Sequence, residues 1–243
     1  MSASNKPQLP QASSFAGLPV ELADAVAGLW HGSIGHTVRC VPTRRTVTVG
    51  EGAARLFGKW RLGHRRGAAA EWRWLHLLPM LGLSVPAPVI WLGQGRRTLL
   101  VTMAVPGRAM DAWIVEAASD GWLPQLADFA CRRIAPIVRR LHDHGLVYRD
   151  LYWNHVFVDD PRAGGAVALV DVERVLRPLW WPRRWVVKDL AGLLSSCPVP
   201  VPTRVGLRFL RACLGGPLRD HRRMITDVVR KAGRIRRHVP RYG

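Results

Sequence analysis

The sequence predicts an α+β protein built as two lobes, a small β-rich lobe followed by a larger helical one. Three observations predict it. Short strand-like runs separated by Gly- and Pro-containing turns fill much of the chain up to Val105-Pro106-Gly107. Beyond that linker the pattern becomes mainly helical. Between the strongest amphipathic helix and a short hairpin lies a loop with Arg149-Asp150, and the hairpin leads to a second aspartate, Asp171. With 243 residues, 48% of them hydrophobic, the chain is long enough for one sizeable domain or two lobes and too apolar to be disordered.

Residues 1–17, rich in Ser, Gln and Pro, read as a flexible tail, and the two lobes take 18–105 and 106–243. Residues 18–29 fit a short helix. Residues 44–57 read as a hairpin, in which Thr46-Val47-Thr48-Val49 turns at Gly50-Glu51-Gly52 into a strand over 53–57, with 58–67 as a basic loop. Residues 68–81 are helical, with Trp72, Leu75 and Leu78 at helical spacing and Gly82 and Pro86 as stop signals. Residues 89–92 and 98–104 read as strands joined at Gly93-Gln94-Gly95. In the second lobe, 124–142 form an amphipathic helix carrying Leu126, Phe129, Ile134, Ile137, Val138 and Leu141, with Gly145 as its C-cap. Strands over 156–158 and 166–170 flank the turn signal Asp159-Asp160-Pro161. Further helices are expected over 187–194 and 205–214, and a basic one from Arg219 onward.

The formal net charge is +19, nearly all from arginine, and the pI is near 11.5. Such a charge favours anionic partners. No helix-turn-helix, zinc or RNA-binding motif accompanies it, so a specific nucleic-acid partner is not expected. Cys40, Cys131, Cys197 and Cys213 form no pair with metal-ligand or redox spacing, and Cys131 falls in an apolar helical pattern. No apolar run suffices to span a bilayer and the N-terminus lacks a signal-peptide core. These features give a cytoplasmic protein with reduced thiols, whose membrane contact, if any, is peripheral.

The chemistry concentrates in Leu146-Val147-Tyr148-Arg149-Asp150-Leu151-Tyr152-Trp153-Asn154-His155 and in Val170-Asp171-Val172-Glu173-Arg174. A helix ending at Gly, an Arg-Asp loop, a short strand, a turn and a strand leading to Asp is the layout of a kinase catalytic loop and its metal-binding strand. Asp150 is placed to orient the proton of an acceptor hydroxyl, and Arg149 to neutralise a nearby carboxylate. Asp171 is placed to hold a divalent ion bridging ATP phosphates. His155 lies five residues after Asp150, where protein kinases carry a metal-binding Asn. Arg55, two residues after Ala53, stands where a kinase has its phosphate-gripping Lys, while Lys59 has the right side chain but lies at the end of the expected strand. Either could grip phosphate, and Glu71 on the next helix would pair with it. No Gly-rich phosphate loop is evident.

These segments carry a specific resemblance. Together with Glu71-Trp72-Arg73, Leu81-Gly82-Leu83-Ser84-Val85-Pro86, Trp185-Val186-Val187-Lys188-Asp189-Leu190-Ala191-Gly192-Leu193 and the basic C-terminal region, they resemble the lipopolysaccharide kinase family from about Thr46 to the C-terminus. The resemblance implies a protein-kinase-like fold and ATP- and Mg2+-dependent phosphorylation of a sugar hydroxyl on the lipopolysaccharide core, hence an anionic glycolipid acceptor. It implies a catalytic Asp150, a metal-binding Asp171, a metal-site role for His155, and an Asp189 that holds the catalytic loop from below. Tyr148 replaces the loop's usual His at a structural position. Two alternatives stay open: a protein or small-molecule kinase of the same fold, and, because Arg55 stands in place of Lys, a pseudokinase that only binds. The run Leu179-Trp180-Trp181-Pro182-Arg183-Arg184-Trp185 mixes indoles with arginines, which suits either a peripheral contact with the inner membrane or a Trp-lined core.

Overall fold

The computed structural model describes residues 18–63, 65–180 and 182–237, with the side chains of residues 65–67 excepted. The expected tail over 1–17 and Trp181 lie outside the described residues. The chain divides into two compact units. One takes the described residues up to Met80 together with Val85–Val105; the other takes Leu81–Ser84 and the chain from Pro106 onward.

The first unit is a five-stranded antiparallel sheet with helices packed on it. Helix α1 (Val20–His31) is followed by β1 (His36–Val41), β2 (Arg44–Val49), β3 (Leu56–Leu62), α2 (Arg65–Met80), β4 (Pro88–Gln94) and β5 (Arg97–Met103). The strand order is β1-β2-β3-β5-β4. Period-two alternation along β3 sends Leu56, Gly58 and Trp60 to one face, where they meet Val26 and Leu29 of α1, Val47, Ile90, Leu99 and Val101. The same alternation turns Lys59 and Arg61 to the other face, toward α2.

Two expectations are corrected here. The second strand of the first hairpin is not 53–57: Gly52–Ala54 form a 3-10 turn, and the strand runs on through Leu62. Gly58, with no side chain, masks the apolar alternation, and the cations on the α2 side make the strand read as a loop. The edge strand β1 was not expected, because five of its six residues are exposed and carry no buried period.

The second unit is mainly helical. After the short strand β6 (Arg108–Ala109) come α3 (Met110–Ser119), α4 (Leu123–Phe129) and α5 (Ala135–Asp143), with a π-helical turn at Ala130–Ile134 between the last two. Then follow β7 (Val156–Val158), β8 (Val167–Leu169), α6 (Pro182–Ser196), α7 (Thr203–Leu214) and α8 (Arg222–Arg237). Strands β6, β7 and β8 form a small antiparallel sheet. The expected helix over 124–142 is thus real but contains a π turn, a feature with no local sequence signature. Helix α5 ends at Gly145 with φ 68°. The amide of Leu146 donates to the Leu141 carbonyl and that of Gly145 to His142, which is a Schellman closure. Helices α6 and α8 run side by side in the same direction: Arg183 meets Asp227 near their starts, and Arg236 donates to the Leu194 carbonyl near their ends. No helix among the described residues is long and apolar enough to cross a membrane.

Candidate active site

The Schellman turn delivers the chain directly into the Tyr148-Arg149-Asp150 loop, and one buried carboxylate then holds it. Asp189, on α6 and fully buried, accepts the backbone amides of Tyr148 and Arg149, each at 2.7 Å. His142 Nε2 lies 3.2 Å from the same carboxylate. These bonds fix Arg149 at φ 71°, a left-handed conformation costly for a side chain with a Cβ. Tyr148 is buried, and its hydroxyl donates to the Val170 carbonyl. It therefore ties the loop to the strand that leads to Asp171, the structural part expected of it.

The reversed backbone at Arg149 presents Asp150. Arg174 Nη1 donates to both carboxylate oxygens of Asp150, at 3.0 and 3.1 Å, and Lys188 Nζ lies 3.9 Å from one of them. Neither contact was legible in the sequence, where Arg174 and Lys188 stand far along the chain from Asp150. Burial lowers the Lys188 pKa below that of a free ammonium; Arg174 and Arg149 act in the same direction, and Asp150 opposes them. The side chain of Arg149 departs from expectation: it stacks on Trp185 at 5.1 Å, and Arg174 is the cation that neutralises Asp150.

His155 ends the 3-10 turn Trp153–His155, and its Nδ1 lies 2.7 Å from the Asp150 carbonyl. A carbonyl only accepts, so Nδ1 carries the proton; in a neutral ring Nε2 then holds the lone pair. The His155 carbonyl accepts the amide of Val170 at 3.0 Å, which sets Asp171 close along the backbone. Asp171 itself adopts φ 62° and opens the 3-10 turn Val172–Arg174. The structure thus gathers Asp150, His155 and Asp171 through backbone bonds within one unit.

The other three residues lie in the first unit. Lys59, in the middle of β3 rather than at a strand end, pairs with Glu71 of α2 at 2.5 Å. Glu71 is buried and also meets Arg61 at 3.5 Å. Arg55 precedes the strand, is exposed, and contributes its backbone carbonyl to the Ala104 amide. Of the two cations considered for gripping phosphate, only Lys59 has the helix carboxylate beside it.

Residues 39–212 match the model of the lipopolysaccharide kinase (Kdo/WaaP) family. The lipopolysaccharide core heptose(I) kinase WaaP of Escherichia coli is 25% identical over 261 residues, covering 91% of this chain and 98% of that protein. The protein of the same name from strain K12 is 26% identical, covering 92% and 99%. A solved structure of WaaP in complex with acyl carrier protein matches with a TM-score of 0.70 at 26% identity, over 83% of this chain and 89% of that one.

Proposed function

The chain belongs to the lipopolysaccharide kinase (Kdo/WaaP) family, and from that premise we propose that it transfers the γ-phosphoryl group of ATP to a sugar hydroxyl of the lipopolysaccharide core, with Asp150 as the catalytic carboxylate. The observation that carries this reading is the Arg149–Asp150 loop, locked by Asp189 with Arg149 in a left-handed conformation from which Asp150 is presented. Phosphoryl transfer through a loose transition state needs little base strength and accurate placement. Asp150 orients the acceptor hydroxyl and takes its proton as the new O–P bond forms and the bond from the γ-phosphorus to the bridging oxygen breaks, releasing ADP. Arg174 and Lys188 place positive charge beside that carboxylate, where they can also face the transferring oxygens.

Lys59 is the residue that grips the nucleotide phosphates, and Glu71 holds its ammonium in place. This pair supports a working kinase over a module that only binds. Arg55, exposed outside the strand, is left a peripheral contact at most. Asp171 offers the hard oxygen that magnesium requires, and His155 Nε2 offers a lone pair; magnesium prefers the oxygen. When bound, magnesium supplies charge neutralisation on the phosphate oxygens.

The test is transfer of labelled γ-phosphate from Mg-ATP to lipopolysaccharide core, comparing wild type with Asp150→Asn. Loss of about 10²–10⁴-fold in kcat, with Mg-ATP still raising the melting temperature of both proteins, is the expected result. Equal transfer by the two would remove Asp150 from the chemistry.

A further inference from the structure

A cavity of about 790 Å³ opens in the second unit, between α6, α8 and the Arg149–Asp150 loop. Seven of its lining side chains are cationic and one is a carboxylate. Asp227, that carboxylate, is shared between Arg183 at 2.9 Å and Arg230 at 3.7 Å. Among the described residues Arg184, Lys231 and Arg234 have no carboxylate within ion-pair distance, and Arg149 Nε is buried without a hydrogen-bond partner. Trp185 forms an aromatic wall, with Arg149, Arg184 and Lys188 placed 5.1, 5.8 and 6.0 Å from its ring.

So many like charges in one concavity oppose folding unless an anion joins them, and a concave basic surface concentrates anions. Guanidinium forks match the oxygens of phosphate and carboxylate. The place of the cavity selects its occupant. Arg149 is next to Asp150 in the chain, and Lys188 reaches to 3.9 Å from the Asp150 carboxylate. A molecule whose anionic group fills the cavity therefore holds its neighbouring hydroxyls close to the catalytic carboxylate.

We propose that this cavity is an acceptor subsite: it binds a phosphate or carboxylate on the acceptor glycan adjacent to the sugar that is phosphorylated. The proposal rests on the kinase reading above and adds to it a residue-level basis for acceptor choice. Arg149 and Lys188 form its inner end; Arg230, Lys231 and Arg234 of α8 form its outer wall.

The experiment uses the full chain, Lys231→Ala/Arg234→Ala as the variant, and the delipidated core oligosaccharide as a soluble acceptor. Both substitutions keep a strong helix former on α8, whose buried residues are Val228 and Ala232. The KM for the oligosaccharide should rise about tenfold or more in the variant, with the KM for ATP unaltered. Wild type should show a similar rise when the oligosaccharide has been stripped of phosphates and its carboxylates reduced. The subsite is overturned if variant and wild type have the same KM for the intact oligosaccharide, or if they differ only on glycolipid embedded in vesicles, which would assign these cations to the membrane. Failure of wild type to phosphorylate any core acceptor would count against the kinase reading instead. Calorimetric binding of the intact oligosaccharide then decides the subsite alone: binding by wild type that is lost in the variant upholds it, and no binding by wild type overturns it.

Discussion

At the scale of single residues, Asp189 does more than any other side chain to make this a site. Its carboxylate accepts two backbone amides and faces His142, with no exposure to water. Removing one acceptor from a buried amide costs about 1–3 kcal/mol, and the left-handed Arg149 adds strain that those bonds currently offset. Asp189→Asn replaces an accepting oxygen with a donor that faces a donor. It should lower the unfolding free energy by about 2–4 kcal/mol in urea titration and reduce kcat beyond that loss, because Asp150 is no longer held. Retained kcat in a folded Asp189→Asn protein would show that the loop conformation has another source. The carboxylates themselves were legible: Asp150 and Asp171 stand in local patterns, and Asp189 was expected through the family resemblance. Their cationic neighbours were not. Arg174 and Lys188 reach Asp150 through folds of the chain that no spacing rule encodes, and Lys59 was assigned to a strand end because Gly58 interrupts the alternation that places it mid-strand.

At the scale of elements, two glycines fix where helices meet the loop, and they do so for different reasons. Gly145 closes α5 with a positive φ in open space, so a Cβ there would meet no atom within 4 Å. Gly192 lies on α6 in a right-handed helix, yet a Cβ there would collide with the Leu151 backbone carbonyl, one residue past Asp150. Gly145→Ala should therefore cost about 1 kcal/mol from backbone conformation alone and leave turnover nearly intact. Gly192→Ala forces α6 away from the loop, costs about 1–3 kcal/mol or more, and should lower kcat sharply because Asp189 moves with the helix. Urea titration and kcat on the two variants separate the cases; equal effects would mean that α6 and the loop are not tightly coupled. The same contrast explains what the sequence revealed about elements. Turn chemistry and long apolar periods are local, so the α4–α5 helical run, its glycine stop and the β7–β8 hairpin were readable. The exposed edge strand β1 buries nothing that could leave a period, α3 begins without a side-chain cap, and the π turn at Ala130–Ile134 depends on packing rather than composition.

At the scale of the whole molecule, a net charge of +19 on a chain with no membrane-crossing helix among its described residues points to attraction toward anionic surfaces. The run after the catalytic loop gives that attraction an apolar component. Leu179 is 86% and Trp180 79% exposed, far more than large apolar side chains usually are, and Arg183 and Arg184 follow directly. Indole and guanidinium together suit the interfacial region of an anionic leaflet, where each cation near the surface contributes roughly 1 kcal/mol. A peripheral contact of this kind would bring the protein to a glycolipid acceptor without anchoring it. Two separable contributions should appear in vesicle sedimentation. Binding to vesicles containing phosphatidylglycerol should exceed binding to phosphatidylcholine alone, and most of that excess should vanish at 1 M salt, where the Debye length is about 3 Å. The part that survives salt should vanish in Leu179→Ser/Trp180→Ser, since it comes from apolar burial rather than charge. If the double variant binds as well as wild type at high salt, Leu179 and Trp180 are exposed for a reason other than lipid, and the membrane contact is electrostatic alone.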